Sequence, residues 1–302
     1  MKILLFGKHG QIGWELQRSL APLGQVIALD REGDGGLCGD LTNRAGLAGT
    51  IRRLKPDVIV NAAAYTAVDK AELEPELAQR INGFAPGILA DEAQELGAWL
   101  VHYSSDYVFD GRGEKPWQES DVTGPLSIYG KSKLQGELAV ARCSKHLIFR
   151  SSWVYAARGQ NFAKTMLQLA FERDHLRVIN DQIGAPTGAE LVADVTAHAL
   201  RAVQESPQLG GLYHLAAEGN TSWHGYAQYV IEQARRAEQP VRVAREAIVA
   251  IPSSDYPTPA QRPFNSRLDT RKLQTAFGLS LPDWQMGVDR VLAEMFERDV
   301  FK

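Results

Sequence analysis

The tyrosine and lysine at positions 129 and 133, four residues apart in the stretch YGKSK, are the pair in this sequence best suited to proton transfer. The surrounding segment predicts a helix, which places both side chains on one face. A free phenol has a pKa of about 10 and is a poor proton donor and acceptor at neutral pH. A neighbouring ammonium stabilises the phenolate and so lowers that pKa. The spacing alone is weak, because Tyr and Lys also pair on exposed helices.

A second hydroxyl group follows an apolar run in the segment Tyr103–Phe109, YSSDYVF. At the carboxyl end of a buried parallel strand, a hydroxyl can orient a substrate carbonyl and share the developing oxyanion with Tyr129. Strand residues alternate between the two sides of a sheet, so only one of Ser104 and Ser105 can face the crevice. We choose Ser105, with Asp106 behind it.

Three glycines at the start of the chain, Gly7, Gly10 and Gly13, form a GxxGxxG pattern. The first permits a tight turn, the second lets the backbone approach a pyrophosphate, and the third lets helix and strand pack closely. A predicted strand precedes them and a predicted helix follows, whose first residues are Gln11 and Ile12, so its N-terminus faces the phosphates. The context predicts a dinucleotide site for NADH or NADPH.

Asp30 ends the second predicted strand, about 20 residues past the glycines, where a carboxylate binds a ribose 2′-hydroxyl. The alternative is a simple turn or cap residue. Arg31 could instead meet a 2′-phosphate, so we expect use of both NADH and NADPH. Asp40 and Leu41 follow a third predicted short strand and would reach the adenine, although Asp40 could equally cap the helix that starts at Asn43.

The elements that must position these residues alternate regularly in the first half of the chain. Strand and helix in alternation predict a doubly wound α/β fold of the Rossmann type around a parallel sheet. The predicted strands are Ile3–Phe6, Val26–Leu29, Val58–Val60, Trp99–Tyr103 and Leu147–Phe149, and the predicted helices are Gln11–Leu23, Asn43–Leu54, Glu76–Gly97 and Pro125–Arg142.

The second half has a looser rhythm and ends in a predicted helix, Trp284–Arg298. We therefore expect a dinucleotide-binding domain over residues 1–155. Residues 156–302 would form a smaller, mainly substrate-binding C-terminal domain, with some elements returning to the first.

The composition of the chain limits which classes of binding partner are expected. The chain has 302 residues, a formal net charge of −3 and two cysteines, and its first apolar run stops at Gly7. We read that run as a strand and not as a signal peptide. The balance favours neither nucleic acid nor a membrane as a partner, and it predicts a cytoplasmic protein with reduced thiols.

The chain resembles the extended short-chain dehydrogenase/reductases in the order of its motifs: the glycine turn, the acidic residue at a strand end, the serine and the YxxxK pair. Within that class it resembles the family of dTDP-4-dehydrorhamnose reductases. The narrower resemblance rests on four segments: Asn61–Glu72, His102–Gly111, Asn180–Glu190 and Arg262–Leu268. It implies reduction of the C4 ketone of dTDP-4-dehydro-L-rhamnose by NADPH or NADH. That is the last step of dTDP-rhamnose synthesis for cell-surface polysaccharide such as the O-antigen of lipopolysaccharide.

The same resemblance implies roles for individual residues. Tyr129 would protonate the alkoxide, Ser105 would hold the carbonyl, and Lys133 would bind ribose and tune Tyr129. Trp153 would pack against the sugar, the alternative being a core tryptophan, and Arg262 and Arg267 are candidates for the pyrophosphate. The implied cofactor contacts are Gly10, Gln11, Ile12, Asp30, Asp40, Leu41, Ala64, Tyr65 and Thr66. Some members form Mg²⁺-linked homodimers through positions that match Glu15, Glu190 and Glu294.

Two other functions stay open. A non-catalytic relative that binds dinucleotide as a regulatory subunit would tend to lose the hydroxyl, Tyr or Lys, and all three are present here. The second alternative is a different nucleotide-sugar enzyme, an epimerase or a dehydratase. A dehydratase would favour a Glu after Asp106, where this chain has Tyr107.

Overall fold

The structure, a computed structural model, describes residues 1–297; residues 298–302, which include the end of the predicted second domain, lie outside the description. Apolar β-branched and aromatic runs form its strands, most of them short. In chain order the strands are β1 (Lys2–Phe6), β2 (Gln25–Leu29), β3 (Val58–Asn61), β4 (Trp99–Ser105), β5 (His146–Ser151), β6 (Val154–Tyr155), β7 (Leu176–Ile179), β8 (Ile183–Gly184), β9 (Thr187–Gly188), β10 (Gly211–His214), β11 (Thr221–Ser222) and β12 (Ile248–Ile251).

The helices alternate with these strands, as the sequence pattern predicts for a doubly wound fold. They are α1 (Gln11–Leu20), α2 (Arg44–Leu54), α3 (Val68–Ala71), α4 (Pro75–Gln79), α5 (Ala85–Leu96), α6 (Ile128–Val140), α7 (Phe162–Glu172), α8 (Ala189–Glu205), α9 (Trp223–Arg236), α10 (Arg271–Phe277) and α11 (Trp284–Glu297). The predicted last residue of α11, Arg298, lies outside the described residues.

A six-stranded parallel sheet in the order β10-β5-β4-β3-β1-β2 forms the centre of the molecule. Alternate residues of β1 show why its strands are apolar throughout: Ile3 and Leu5 join the core on one face, and Leu4 and Phe6 join the core on the other. Both faces are covered by helices, so the inner strands bury nearly every side chain, while the edge strands β2 and β10 are only partly buried. The predicted parallel, doubly wound fold is confirmed.

The second half of the chain contributes to this sheet. Strand β10 is its edge strand beside β5, and the buried side of α8 (Val192 and Ala199, for example) belongs to the same core as α1. A separate aromatic core contains Tyr155, Tyr226 and Trp284, and a further apolar cluster contains Leu176 of β7 and Ile248 of β12. Strand β10 and helix α8, which follow residue 155, thus belong to the unit of the central sheet, while the division into two domains stays a prediction.

Two local predictions are wrong. No strand precedes Gly39, because residues 34–37 form only an isolated bridge between Asp34 and Leu37. The predicted helix Glu76–Gly97 is divided into α4, a π-helical turn at Arg80–Phe84, and α5. A π turn inserts a residue without changing the apolar periodicity enough to be read from sequence. Over residues 1–297, none of the helices is both long and apolar enough to cross a membrane.

Candidate active site

The carboxyl ends of the central strands meet at one edge of the sheet, where a doubly wound fold binds its ligands. Ser105 is the last residue of β4, and a short 3-10 turn, Asp106–Val108, follows it. Helix α6 crosses beside this turn because Gly130 has no side chain: a Cβ there would lie 2.2 Å from the carbonyl oxygen of Tyr107. The glycine therefore brings Tyr129 next to Ser105.

The three residues predicted to take part in the reaction lie close together in the structure. Tyr129, Ser105 and Lys133 are all at least largely buried, and the Ser105 hydroxyl lies close enough to the Tyr129 phenol to lower its pKa. Burial and the Asp106 carboxyl outweigh that hydrogen bond and raise the pKa of Tyr129 to about 12. In the protein chain alone the phenol is thus neutral and able to donate a proton.

Lys133 lies one helical turn beyond Tyr129 on α6 and bonds to the backbone of β4. Its ammonium donates to the backbone carbonyl oxygen of Tyr103 at 2.5 Å, and it is not among the groups that shift the pKa of Tyr129. The expected lowering of the phenol pKa by Lys133 together with the nicotinamide ring stays a prediction for the protein with bound cofactor. Burial lowers the pKa of Lys133 to about 8, against the opposing effect of Glu137 one helical turn further on. Glu137 itself forms a buried ion pair with Arg150 at 2.7 Å.

Ser105 and Asp106 form the other side of this cluster. The Ser105 hydroxyl donates to Asp106 Oδ1 at 2.9 Å and accepts the backbone N–H of Tyr107 at 3.2 Å. Ser104 lies on the opposite side of the strand, where its buried hydroxyl oxygen has no partner among the described residues. Burial raises the pKa of Asp106 to about 6.

The glycine turn has the shape that a dinucleotide requires. Gly7 has a φ of +88°, and a Cβ on it would lie 2.7 Å from the backbone nitrogen of Ala63. A Cβ on Gly13 would lie 2.0 Å from the carbonyl oxygen of Gly7. Helix α1 has no side-chain cap at Gly10 and no acidic residue in its first turn. Its first N–H groups, from Gln11 onward, are therefore available to a phosphate, and the residues fit the cofactor.

Asp30 has the turn role considered for it, and its contact with the ribose 2′-hydroxyl stays a prediction. One oxygen accepts the backbone N–H groups of Glu32 and Gly33 at 3.1 Å, which makes it a turn residue. The other is paired with Lys8 at 3.1 Å and with His9 at 3.0 Å. The Lys8 ammonium lowers the pKa of Asp30.

The cation expected beside Asp30 was Arg31, but its side chain is 83% exposed and lies 4.0 Å from Asp40. Lys8, from the glycine turn, stands beside Asp30 instead. Asp40 binds the backbone and hydroxyl of Thr42 and does not cap α2, since Asn43 Oδ1 accepts the N–H of Gly46. Leu41 is buried in the same core as Leu4 and Phe6.

Ala64, Tyr65 and Thr66 follow β3 and are tied to α6 by a residue that the sequence analysis missed. Asn82, in the π-helical turn, accepts from the backbone N–H of Tyr65 at 2.8 Å and donates to its carbonyl oxygen at 2.9 Å. The same amide contacts the hydroxyl of Ser132 on α6. A lone asparagine inside a predicted helix carries no sequence signal for this role.

Trp153 lies beyond β5 with a φ of +50°, and its indole stacks on Trp223 with the ring centroids 3.5 Å apart. It is half-buried and stands apart from the main sheet core, so it is neither a fully buried core residue nor free on both faces. Arg262 forms an ion pair with Asp69, and Arg267 donates to Asn265 Oδ1 at 3.1 Å.

The predicted metal ligands do not form a metal site within one chain. Glu15, Glu190 and Glu294 are close enough for the first and third to raise the pKa of Glu190, after the larger effect of burial. Glu15 pairs with Arg18, however, and Glu190 pairs with Arg290 at 3.0 Å. Over residues 1–297, no group of three or more His, Cys, Asp or Glu is arranged to hold a metal. The three glutamates of a single chain therefore do not fit Mg²⁺.

Comparison with known proteins agrees with this geometry. The sequence model of the family described as RmlD substrate binding domain matches residues 1–297. The dTDP-4-dehydrorhamnose reductase of Salmonella typhimurium is 61% identical over 98% of both chains. Among solved structures, a dTDP-4-dehydrorhamnose reductase from Clostridium acetobutylicum superposes with a TM-score of 0.87 at 35% identity, over 98% of this chain and 100% of that one. One from Bacillus anthracis, in complex with NADP, gives 0.84 at 32% identity over 97% and 99%.

Proposed function

Because this chain belongs to the RmlD substrate binding domain family, we propose that it reduces the C4 ketone of dTDP-4-dehydro-L-rhamnose to dTDP-L-rhamnose. The observation that carries the proposal is the meeting of Ser105, Tyr129 and Lys133 at the carboxyl end of β4. The phosphate-binding turn lies at the same edge of the sheet, after β1. A hydride from nicotinamide C4, supplied by bound NADPH or NADH, would reduce the ketone.

The side chains would divide the remaining chemistry among them. Tyr129 is neutral at physiological pH, with a pKa of about 12, and would give its proton to the oxygen that becomes the new hydroxyl. Ser105 would hold that oxygen while its charge develops. Lys133, with a pKa of about 8, keeps its charge near neutral pH and would hold the ribose hydroxyls of the cofactor.

The cofactor would lie along the edge that begins at the glycine turn. Its phosphates would meet the N–H groups at the start of α1, its adenosine ribose would meet Asp30, and its adenine would meet Asp40 and Leu41. We propose as its complete binding set Gly7, Gly10, Gln11, Ile12, Gly13, Asp30, Asp40, Leu41, Ala64, Tyr65, Thr66, Tyr129 and Lys133. Ser105, Asp106 and Trp153 would form the sugar-nucleotide site, with Asp106 behind Ser105.

The test is the loss of NADPH or NADH absorbance when the purified protein meets dTDP-4-dehydro-L-rhamnose. We expect turnover with formation of dTDP-L-rhamnose, identified by comparison with an authentic standard. Absence of turnover with both cofactors would overturn the proposal in favour of a regulatory, dinucleotide-binding role. Formation of a keto-sugar isomer without net cofactor oxidation would favour an epimerase.

The predicted assembly and location belong to the same proposal. A homodimer in which a second copy completed the ligand set of Glu15, Glu190 and Glu294 is the arrangement in which Mg²⁺ could matter. Sedimentation equilibrium with added Mg²⁺ and with EDTA tests this, and a mass that does not respond to either would remove the metal from the proposal. We expect the protein to act in the cytoplasm and its product to supply cell-surface polysaccharide.

A further inference from the structure

The Ser105 hydroxyl has one proton, and in this structure that proton is already committed. It is donated to Asp106 Oδ1 at 2.9 Å, and one lone pair of the same oxygen accepts the N–H of Tyr107 at 3.2 Å. A hydroxyl that gives its proton to a carboxylate has none left for a substrate carbonyl. Ser105 as arranged here can therefore not stabilise the oxyanion that its position serves.

The environment of Asp106 favours a neutral carboxylic acid over an ionised carboxylate. Asp106 is 1% exposed, and within the described chain its second oxygen, Oδ2, is buried without a hydrogen-bond partner. An ionised carboxylate with an unsatisfied oxygen is costly to bury, whereas a neutral carboxylic acid is much less so.

The groups around Asp106 supply no compensating positive charge. The phenols of Tyr107 and Tyr129 face it, and both have their pKa raised by its charge. The hydroxyl groups of Ser266 and Ser105 and the backbone N–H groups of Asp106 and Tyr107 lower the pKa of Asp106, but burial raises that pKa by more. The nearby cation Arg262 interacts with Tyr107 and is paired with Asp69. Asp106 thus lies among neutral hydroxyl groups, and burial raises its pKa to about 6.

We propose that Asp106 works as a neutral carboxylic acid that donates its proton in a hydrogen bond to Ser105 Oγ, which turns the Ser105 proton toward the substrate carbonyl oxygen. The Ser105 oxygen then accepts from Tyr107 N–H and from Asp106, and donates to the substrate. No proton is consumed by this arrangement, because Asp106 keeps its own, and the alkoxide still takes the proton of Tyr129. Asp106 is a positioning residue whose charge state decides whether Ser105 can act.

This inference rests on the proposed reductase function. The wild-type kcat/KM should decline as pH rises through the pKa of Asp106, because ionisation redirects the Ser105 proton. In Asp106→Asn the side-chain N–H donates to Ser105 at every pH. We therefore expect that variant to keep kcat within about threefold of wild type at low pH and to lack the decline near pH 6, so that only the decline above about pH 8, from loss of the Lys133 charge, remains.

Asp106→Ala should lose about 10- to 100-fold in kcat at all pH values, because nothing then orients the Ser105 hydroxyl. Asp110→Asn is the matched control: it makes the same substitution four residues further on, at a side chain that is 38% exposed, and should retain the wild-type pH profile. If the decline near pH 6 persists in Asp106→Asn, or if this variant is as impaired as Asp106→Ala, the inference is overturned, because a negative carboxylate would then be required.

An infrared titration of the NADPH-bound protein tests the protonation state without any substrate. A carboxylic-acid C=O band should be present in wild type near pH 6, disappear as pH rises toward about 9, and be absent from Asp106→Asn. Absence of the band in wild type overturns the inference. A wild type that shows the band but reduces no sugar nucleotide would instead contradict the proposed function and leave the charge state of Asp106 established.

Discussion

Asp69 and Arg262 form a two-pronged ion pair, with N–O distances of 2.7 and 3.0 Å, across 193 positions of sequence. It fastens the loop that carries Arg262 to α3, beside the 3-10 turn that carries Tyr107. Arg262 also contacts Tyr107, whose ring meets that of Tyr129 edge to face with centroids 5.4 Å apart. The ion pair therefore helps to hold Tyr107 in place beside the phenol of Tyr129.

Removal of the ion pair between Asp69 and Arg262 should weaken both the stability of the protein and its binding of substrate. We expect Arg262→Ala to lower the free energy of unfolding by about 1 kcal/mol, a value reduced for the 40% exposure of the Asp69 side chain. KM for the sugar nucleotide should rise several-fold more than kcat falls. Urea unfolding and initial rates measure these effects, with Arg112→Ala, in an exposed pair with Asp110, as the control. Equal effects of the two variants would contradict this role of the ion pair.

Tyr129→Phe should lower kcat by about 10²- to 10⁴-fold, because the alkoxide then lacks its proton donor. The dissociation constant for NADPH, measured by fluorescence titration, should rise by no more than about threefold, because the other residues of the binding set remain. Tyr226→Phe is the matched control, since it removes a buried hydroxyl that has no partner in the described part of the chain and lies in the separate aromatic core. Full kcat in Tyr129→Phe would remove the phenol from the mechanism.

Lys133 should impose a pH dependence on stability with a definite sign. Its folded-state pKa of about 8 lies below the usual value near 10.4, so between these pH values the unfolded chain binds more protons. Stability contributed by this group therefore rises with pH through that window. Relative to Lys133→Met, wild type should gain about 2 kcal/mol between pH 8 and pH 10, as measured by urea unfolding. Lys131→Met, on the exposed side of the same helix, should show no such gain.

Gly13→Ala should disrupt the phosphate-binding turn, because its Cβ would meet the carbonyl oxygen of Gly7 at 2.0 Å. We expect NADPH affinity to fall at least tenfold, together with a loss of stability. Gly49→Ala makes the same change in an exposed helical position with open space around it, and should stabilise the protein by up to about 1 kcal/mol. Calorimetric titration with NADPH distinguishes the two. Unchanged affinity in Gly13→Ala would show that the turn does not bind phosphate.

Cofactor preference should depend on Lys8 more than on Arg31. Lys8 pairs with Asp30 at 3.1 Å and can turn to a 2′-phosphate, whereas Arg31 points away toward Asp40. Lys8→Ala should lower kcat/KM for NADPH relative to NADH by about tenfold, and Arg31→Ala should leave the ratio within about twofold. Asp30→Ala should shift the ratio toward NADPH. A larger effect from Arg31→Ala would restore the role that the sequence suggested for it.

The sequence by itself determined the features that depend on neighbours along the chain. The strand-glycine-helix order, the all-buried character of β1 and the one-turn spacing of Tyr129 and Lys133 are local patterns, because period and turn chemistry act over a few residues. The order of motifs was sufficient to indicate Ser105 as the partner of Tyr129. The π turn at Arg80–Phe84 was not predictable, because an inserted residue leaves the apolar pattern almost unchanged.

Only the tertiary structure decided where the charges and protons go. The sequence gives no sign that Lys133 binds the Tyr103 carbonyl, that Asn82 holds Tyr65, or that Asp69 and Arg262 meet. These contacts depend on which distant segments are packed together. The pKa values of Tyr129, Lys133 and Asp106 depend in addition on burial, which no spacing along the chain specifies. The sequence indicated the candidate residues for the reaction, and the packing determines their pKa values.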